Sequence, residues 1–177
     1  MISKLKLTRF AAQATAEDFE QIYQRILPRV YNFFRYRFGD DLLAEDLTSE
    51  TFEKAWRQRE KYKRDLSAFS TWVFTIARNV AIDHFRKKRN EIPLHEALDL
   101  PSGEPTMDNL AQQNMEYARL ARLLAGLTDR DRELVALKYG AGLTNRAIAR
   151  LCGLGESNVA VILHRLIQTL REEWEKP

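Results

Sequence analysis

Apolar residues recur three and four positions apart along most of this chain, and that spacing constrains its fold more than any other feature. Glycine is scarce inside these stretches, and strand-like alternation is rare. Thr128 and Thr144 are of a residue type that caps helix N-termini. We therefore expect an all-α protein. The predicted helices cover Glu17–Phe38, Asp41–Arg59, Phe69–Arg89, Asp108–Ala125, Thr128–Tyr139, Thr144–Cys152 and Glu156–Glu175.

A short acidic segment divides this helical pattern into two parts. Residues 91–108 hold three of the five prolines, five acidic residues and no basic residue. The net charge is +6 over residues 1–90 and +2 over residues 109–177. Because proline blocks helix continuation and removes a backbone donor, the segment marks a boundary. The sequence predicts two small helical domains, 1–90 and 109–177, joined by a flexible linker over 91–108.

Composition argues against several classes of protein. A single cysteine excludes an internal disulfide framework, and no run approaches the roughly 20 apolar residues that cross a bilayer. No long apolar segment follows the N-terminal charges, so we expect no signal peptide, no membrane insertion and a cytoplasmic location. His84, His95 and His164 are scattered along the chain. We therefore expect no catalytic residue, no metal and no cofactor.

The C-terminal part contains the pattern of a helix-turn-helix. A short helix from Thr144 ends at Gly153, which can adopt the left-handed conformation of a tight turn, and a second helix starts near Glu156. Such units place the second helix in the major groove of DNA, although a protein-binding helical hairpin shows the same pattern. The predicted inward arc of the second helix comprises Val159, Ile162, Leu163, Leu166 and Leu170. Its predicted outward face comprises Ser157, Ala160, Val161, His164, Arg165 and Gln168.

The helix predicted over Asp41–Arg59 has two contrasting faces. Its inward stripe comprises Leu43, Leu47, Thr51 and Ala55. The opposite face comprises Asp46, Ser49, Glu50, Glu53 and Arg57, with Trp56 at its edge. An aromatic residue beside an acidic patch is typical of a protein-docking surface, while an ordinary solvated face gives the same pattern.

The helix predicted over Phe69–Arg89 combines an apolar arc with a basic end. The arc comprises Phe69, Trp72, Val73, Ile76, Ala77 and Val80, and the spacing favours core positions for its aromatic residues. A predicted exposed stripe comprises Thr75, Asn79, Ile82 and Arg86. The helix ends in Arg86-Lys87-Lys88-Arg89, and four successive cations suit both the helix macrodipole and nucleic-acid phosphates. The preceding segment, 64–68, is predicted to be a loop suited to line a pocket for an unpaired base.

Four stretches in this order resemble the bacterial extracytoplasmic-function (ECF) sigma factors of the sigma-70 family. Residues 30–38 (VYNFFRYRF) resemble the first helix of region 2, and 44–56 (AEDLTSETFEKAW) its polymerase-binding helix. Residues 69–83 (FSTWVFTIARNVAID) resemble the helix that melts and reads the −10 element. Residues 127–170 resemble region 4, whose helix-turn-helix reads the −35 element.

The resemblance implies a non-catalytic initiation subunit whose partners are core RNA polymerase, through its β′ clamp helices and β flap, and promoter DNA. The residues implied for polymerase binding are Asp46, Ser49, Glu50 and Glu53. Those implied for the single-stranded −10 element are Arg64, Ser67, Phe69, Trp72, Asn79, Arg86, Lys87, Lys88 and Arg89. Those implied for the duplex −35 element are Thr144, Ser157, Asn158, Ala160, Val161, His164 and Arg165. An anti-sigma factor is a further partner that such proteins commonly have.

Three departures and two alternatives remain at this stage. Ser49 stands where the family often has Gln, and Ala160 and Val161 stand where many members have basic residues, so −35 readout is expected to use apolar contacts and shape.

A stand-alone helix-turn-helix regulator would bind duplex DNA tightly without polymerase. A protein-interaction module would depend on Glu50 but not on Asn79 or the basic run.

Overall fold

The computed structural model describes residues 23–62, 69–91 and 109–176. Its helices are α1 over 23–38, α2 (Asp41–Arg57), α3 (Phe69–Glu91), α4 (Asn109–Ala125), α5 (Asp129–Val135), α6 (Asn145–Cys152) and α7 (Glu156–Glu175). A 3-10 turn, Arg59–Lys61, follows α2, and a wider π turn, Ala136–Gly140, follows α5. These ranges contain no strand, which confirms the all-α prediction.

Some predicted boundaries fall outside the described residues. The predicted linker over 91–108 lies outside them except for Glu91, which ends α3. The predicted helix start at Glu17 also lies outside them. The helix predicted over Thr128–Tyr139 is α-helical only to Val135, because the chain then widens into the π turn, where the amide of Ala141 donates to the carbonyl of Ala136 at 2.8 Å.

Side chains near the helix ends explain why the helices begin and stop where they do. Asp40 accepts a hydrogen bond from the amide of Leu43 at 2.9 Å and caps α2. Thr128 caps α5 and Thr144 caps α6 in the same way, each at 3.2 Å, as the sequence predicted. Gly153 ends α6 with a φ of +67°, a conformation that L side chains rarely adopt.

An aromatic core holds α1, α2 and α3 together. Phe33, Phe34 and Phe74 are fully buried, with the ring centroids of Phe33 and Phe34 5.1 Å apart. Thr48 and Thr51 are also buried on α2, and their hydroxyls donate to the carbonyls of the preceding turn at 2.6 and 2.7 Å. Because those hydroxyls are satisfied, a predominantly apolar core can contain them without an unpaired donor.

An aliphatic core holds α4 to α7. Leu124, Leu134, Leu137, Ile148 and Val159 are buried in it. The guanidinium of Arg132 donates to the carbonyls that end α4, those of Leu124, Ala125 and Leu127, at 2.7–3.0 Å. A cation at this end also opposes the helix macrodipole, so Arg132 fixes the corner between α4 and α5.

The two sets of helices pack against each other. Their cores belong to one continuous cluster of buried residues. The hydroxyl of Tyr117 in α4 donates to the carbonyl of Arg35 in α1 at 2.7 Å, and the Arg35 guanidinium lies 3.5 Å from the centroid of the Tyr117 ring. No helix in the described ranges is both long enough and apolar enough to span a membrane.

Candidate nucleic-acid and protein interfaces

The outer face of α2 joins acidic groups to exposed apolar side chains. Asp46, Ser49 and Glu53 are exposed and Glu50 is half-buried, so the structure places these four predicted residues on the surface. Trp56 at one end is 47% exposed. Leu42 at the other end is 75% exposed. The sequence analysis did not assign Leu42 to this face, although it lies one helical turn before Asp46. Exposed apolar residues beside charge favour protein docking.

Cations within α2 partly neutralise this face. Lys54 lies 2.7 Å from Glu50, and Arg57 pairs with Glu53. Exposed ion pairs of this kind contribute about 0–1 kcal/mol to the free energy of folding. Basic side chains of a partner protein could therefore replace Lys54 and Arg57 as the counterions of Glu50 and Glu53 with little loss of stability. Ser49 donates its hydroxyl to the carbonyl of Glu45 at 3.0 Å, which leaves the hydroxyl oxygen as an acceptor.

The outer stripe of α3 leads from polar residues to a basic end. Thr75 and Asn79 are exposed, as predicted, whereas Ile82 is half-buried. Arg86, Lys87 and Lys88 are exposed, and the nearest described carboxylate to Arg86 is that of Asp83, 3.9 Å away. The cations lie about two turns beyond the polar stripe. This arrangement suits a single strand of nucleic acid whose bases contact the stripe and whose phosphates contact the cations.

An aromatic cluster stands at the start of α3. Phe69 and Trp72 are half-buried rather than core residues, and their ring centroids are 5.3 Å apart. Tyr62 completes the cluster, with its ring 5.2 Å from each of the other two. Tyr62 was not predicted to belong to this surface, because it precedes the loop and is part of no helical pattern. Half-buried rings offer a partial face to a ligand while their other face supports the fold.

Three predicted contacts of this surface are not described. Arg64 and Ser67 lie outside the described residues, and so does the loop predicted to line a base pocket. Arg89 lies in α3, but its side chain is outside the described part of the structure.

The second group of helices contains a helix-turn-helix formed by α6 and α7. Ile148 and Val159 are buried where the helices cross, and Leu151 and Leu154 pack against them. Arg146 and Glu156 form an ion pair at 3.2 Å that joins the starts of the two helices. Cys152 is half-buried beside them, and burial raises the pKa of its thiol.

The outward face of α7 carries more apolar surface than charge. Ser157, Asn158, His164, Arg165 and Gln168 are exposed, Val161 is 58% exposed and Ala160 is half-buried. The predicted inward residues Val159 and Leu163 are buried, and Ile162, Leu166 and Leu170 pack against the core. Thr144 is exposed at the start of α6, and its capping hydroxyl retains a proton to donate.

A separate apolar groove of about 360 Å³ lies between α4 and α7. Its wall includes Leu120, Leu123, Ile167, Leu170 and Trp174, with Tyr36 of α1 at one side. The groove is distinct from the outward face of α7, so the second group of helices has one surface suited to DNA and another suited to an apolar segment of a protein.

Two helical units, one with an exposed acidic face and one with a helix-turn-helix, define a class of DNA-binding proteins that also dock on a protein. Family models agree: Sigma-70 region 2 matches residues 22–91, and Sigma-70, region 4 matches residues 117–170. This chain therefore belongs to the sigma-70 family, within its ECF group of alternative sigma factors, which direct transcription initiation as non-catalytic subunits.

Several curated ECF RNA polymerase sigma factors are similar to the chain. SigM of Bacillus subtilis is 30% identical over 152 residues, which cover 86% of this chain and 92% of SigM. RpoE of Cereibacter sphaeroides is 29% identical over 85% of this chain and 84% of its own length. BldN of Streptomyces coelicolor is 31% identical over 94% of this chain, which spans only 64% of BldN.

Two solved proteins share the fold of this chain over most of its length. RpoE of Bartonella quintana, solved in complex with the anti-sigma factor NepR, aligns with a TM-score of 0.68 and 23% identity, over 89% of this chain and 96% of its own. CnrH, solved with the cytosolic domain of CnrY, aligns with a TM-score of 0.69 and 22% identity, over 94% of this chain and 95% of its own.

Proposed function

We propose that this chain recruits core RNA polymerase to promoters by holding a −10 strand on α3 and a −35 duplex on α7 at the same time. The observation that supports the proposal is that the polar and basic stripe of α3, the outward face of α7 and the acidic face of α2 are three separate exposed surfaces. The domains proposed are 1–90 for polymerase binding and −10 melting and 109–177 for −35 reading, with 91–108 as the linker.

The −10 surface runs from the aromatic cluster to the basic end of α3. Asn79 is exposed and has an amide that donates and accepts, so it suits the edge of an unpaired base. Phe69 and Trp72 offer half-exposed rings for stacking, and Arg86, Lys87 and Lys88 suit the flanking phosphates. Arg64, Ser67 and Arg89 complete the proposed set.

The −35 surface is the outward face of α7 with Thr144 of α6. Arg165 supplies a charged group, while Ser157, Asn158 and His164 supply polar ones. Val161 and Ala160 present methyl groups, which suit the C5-methyl groups of thymine in the major groove. With so little positive charge, this face alone should bind duplex DNA weakly.

The outer face of α2 is the proposed contact with the β′ clamp helices, through Asp46, Ser49, Glu50 and Glu53, with Leu42 and Trp56 as apolar anchors. The groove between α4 and α7 is the proposed contact with the β flap. Polymerase then holds both DNA-reading faces near one promoter, and the high effective concentration turns two weak contacts into one selective complex.

The direct test is transcription in vitro with purified core polymerase on a genomic fragment library. The proposal predicts discrete start sites upstream of which two short sequence elements recur at a fixed spacing. A library transcribed at random, or no response to the added chain, contradicts it. Measuring the affinity for duplex DNA without polymerase distinguishes this proposal from a stand-alone helix-turn-helix regulator. Such a regulator binds intact sites tightly by itself, and this chain should not.

A charge reversal on α2 tests the polymerase contact. The double variant Asp46→Arg with Glu53→Arg should lose core polymerase in a pull-down, while the matched reversal Glu172→Arg on the exposed end of α7 should retain it. Asn79→Ala should leave polymerase binding intact and reduce −10 opening. If Asn79 proves irrelevant to transcription, the chain is a protein-interaction module instead.

The same proposal covers regulation, location and chemistry. The similar protein RpoE of Bartonella quintana was solved with the anti-sigma factor NepR, which supports the expectation that an anti-sigma factor also binds this chain. A subunit of the transcription machinery works beside the chromosome, so we place it in the cytoplasm. It acts as a binding subunit rather than as an enzyme, with no catalytic residue, metal or cofactor of its own.

A further inference from the structure

Two tryptophans on the proposed polymerase surfaces are held in place in the same way. Trp56 lies on the outer face of α2, and Trp174 lines the groove between α4 and α7. Since α2 ends at Arg57 and α7 ends at Glu175, each tryptophan is the last residue but one of its helix. An arginine lies over each indole ring and also donates a hydrogen bond to the carbonyl of that same tryptophan. We call this double contact an arginine–tryptophan pair.

The first arginine–tryptophan pair forms within one helix end. Arg59 belongs to the 3-10 turn that follows α2. Its Nη1 atom donates to the carbonyl of Trp56 at 2.9 Å, and its guanidinium lies 4.3 Å from the centroid of the Trp56 ring. Arg59 is half-buried, while Trp56 is 47% exposed. The cation therefore supports a ring that still presents about half of its surface to solvent.

The second arginine–tryptophan pair joins two helices that are distant in the sequence. The Nη2 atom of Arg119 in α4 donates to the carbonyls of Trp174 and Lys176 at 2.6 and 2.7 Å. Its guanidinium lies 4.8 Å from the centroid of the Trp174 ring. Arg119 precedes Trp174 by 55 residues, so this pair ties the end of α7 to α4, and these two helices form the groove.

The chemistry of a helix end explains why the cation is an arginine. Carbonyls in the last turn of a helix have no amide donor within that helix, and the helix macrodipole makes this end negative. A guanidinium satisfies the carbonyl, opposes the dipole and lies flat against an aromatic ring at the same time. An ammonium group is a point charge without a plane. Each arginine therefore restricts the rotation of an indole ring about its side-chain bonds.

A ring that is already held in place is a better anchor for a partner protein. Tryptophan is enriched among the residues that contribute most to the affinity of protein interfaces. Ordering a rotatable side chain during binding costs free energy, and a side chain that is ordered beforehand avoids much of that cost. We propose that Arg59 and Arg119 are positioning residues for polymerase binding, which act by holding Trp56 for the β′ clamp helices and Trp174 for the β flap. The inference rests on the proposed function, because both rings are anchors only if polymerase docks on these two surfaces.

Substitution of the two arginines tests the inference through the affinity of the full chain for core polymerase. Arg59→Gln and Arg119→Gln should each weaken binding by about 3- to 10-fold, the range expected for ordering one large side chain. Lys61→Gln, in the same turn as Arg59, and Arg122→Gln, one turn after Arg119, are the matched controls. Each control removes one exposed cation that belongs to no proposed binding surface, so each should bind like the wild type.

A double-mutant cycle shows whether each arginine acts through its own tryptophan. In a Trp56→Ala background, Arg59→Gln should cause no further loss of affinity, because the ring that Arg59 holds is absent. In a Trp174→Ala background, Arg59→Gln should still cause its full loss. The reciprocal pattern is expected for Arg119→Gln. An arginine that contacts polymerase directly would cause the same loss in both backgrounds.

A second variant separates the position of the Trp174 ring from the stability of α7. Arg119→Lys keeps a cation beside the last carbonyls of α7 but has no flat group to lie over the ring. It should unfold at the same urea concentration as the wild type and still bind polymerase about threefold more weakly. Acrylamide should also quench the fluorescence of Trp174 more strongly in this variant, measured as the difference from the matching chain with Trp174→Phe.

The outcomes distinguish the inference from its alternatives. A loss of affinity that requires the paired tryptophan, together with stronger quenching, supports the inference. Equal losses in both backgrounds, equal losses in the control variants, or wild-type affinity in the variants of both arginines overturn it. Losses that occur only in variants that unfold at lower urea concentrations also overturn it, because the arginines would then be merely structural.

Failure of the proposed function gives a different result. A wild-type chain that does not bind core polymerase overturns the proposed function, and the inference with it. A wild-type chain that binds polymerase, with affinity unchanged by Trp56→Ala and by Trp174→Ala, overturns the inference alone.

Discussion

The basic end of α3 and the outward face of α7 are both exposed helix surfaces, yet they differ in kind. The first presents Arg86, Lys87 and Lys88 in succession, whereas the second presents Arg165 among Ser157, His164 and an apolar Val161. The difference matches the two ligands proposed for them. A melted strand is held mainly through phosphates, while a duplex element must be distinguished through base edges and groove shape.

The largest effect should come from removing charge on α3. The triple variant Arg86→Ala, Lys87→Ala and Lys88→Ala should weaken binding of the holoenzyme to a single-stranded −10 oligonucleotide by roughly 10- to 100-fold at low salt. The slope of log affinity against log salt concentration should fall by about 2, since each phosphate contact to a single strand contributes about 0.7. An unchanged salt slope would show that these cations do not touch phosphates.

A smaller and different effect should follow from changing Val161. Val161→Ser removes two methyl groups from an exposed position and should reduce discrimination between −35 sequences by about fivefold, or about 1 kcal/mol. The salt slope should not change, because no charge is lost. Thr169→Ser, which removes one methyl group from an exposed position of α7 outside the proposed −35 surface, is the control. A changed salt slope with unchanged sequence preference would contradict the division of roles between the two helices.

The smallest effects should come from the residues that cap helix N-termini, and each cap should affect a different binding function. Thr144→Ala and Asp40→Ala each remove one capping hydrogen bond and should lower the free energy of unfolding by about 1 kcal/mol in urea titrations. Thr144→Ala should then weaken −35 recognition alone, and Asp40→Ala polymerase docking alone. Thr169→Ala, an exposed mid-helix change in α7, should stay within about 0.5 kcal/mol of the wild type.

Local features of the structure were predictable from the sequence, and the contact between the halves was not. Helical spacing and capping residues are properties of neighbours along the chain, so the helices, Thr128, Thr144 and Gly153 follow from them. Glu133 and Arg37 looked like ordinary charged residues, because their burial depends on a partner about 100 positions away. Nothing in the sequence around Gly140 indicates that the backbone of Asn32 lies against it.

The candidate faces show the same limit. The acidic face of α2 was predicted because its residues repeat at helical spacing, and the same spacing would have identified Leu42. The aromatic cluster was only half predicted, since Tyr62 reaches Phe69 and Trp72 across a loop. The extent of exposure of Phe69 and Trp72 also depends on that long-range packing rather than on periodicity.

Comparison of promoter affinity with and without polymerase tests the central claim most directly. A duplex carrying both elements is titrated with the chain alone and with the chain bound to core polymerase, at one fixed salt concentration. The account predicts that polymerase tightens specific binding by roughly 100-fold or more. Equal affinity in both titrations, with full sequence preference in the chain alone, would contradict it.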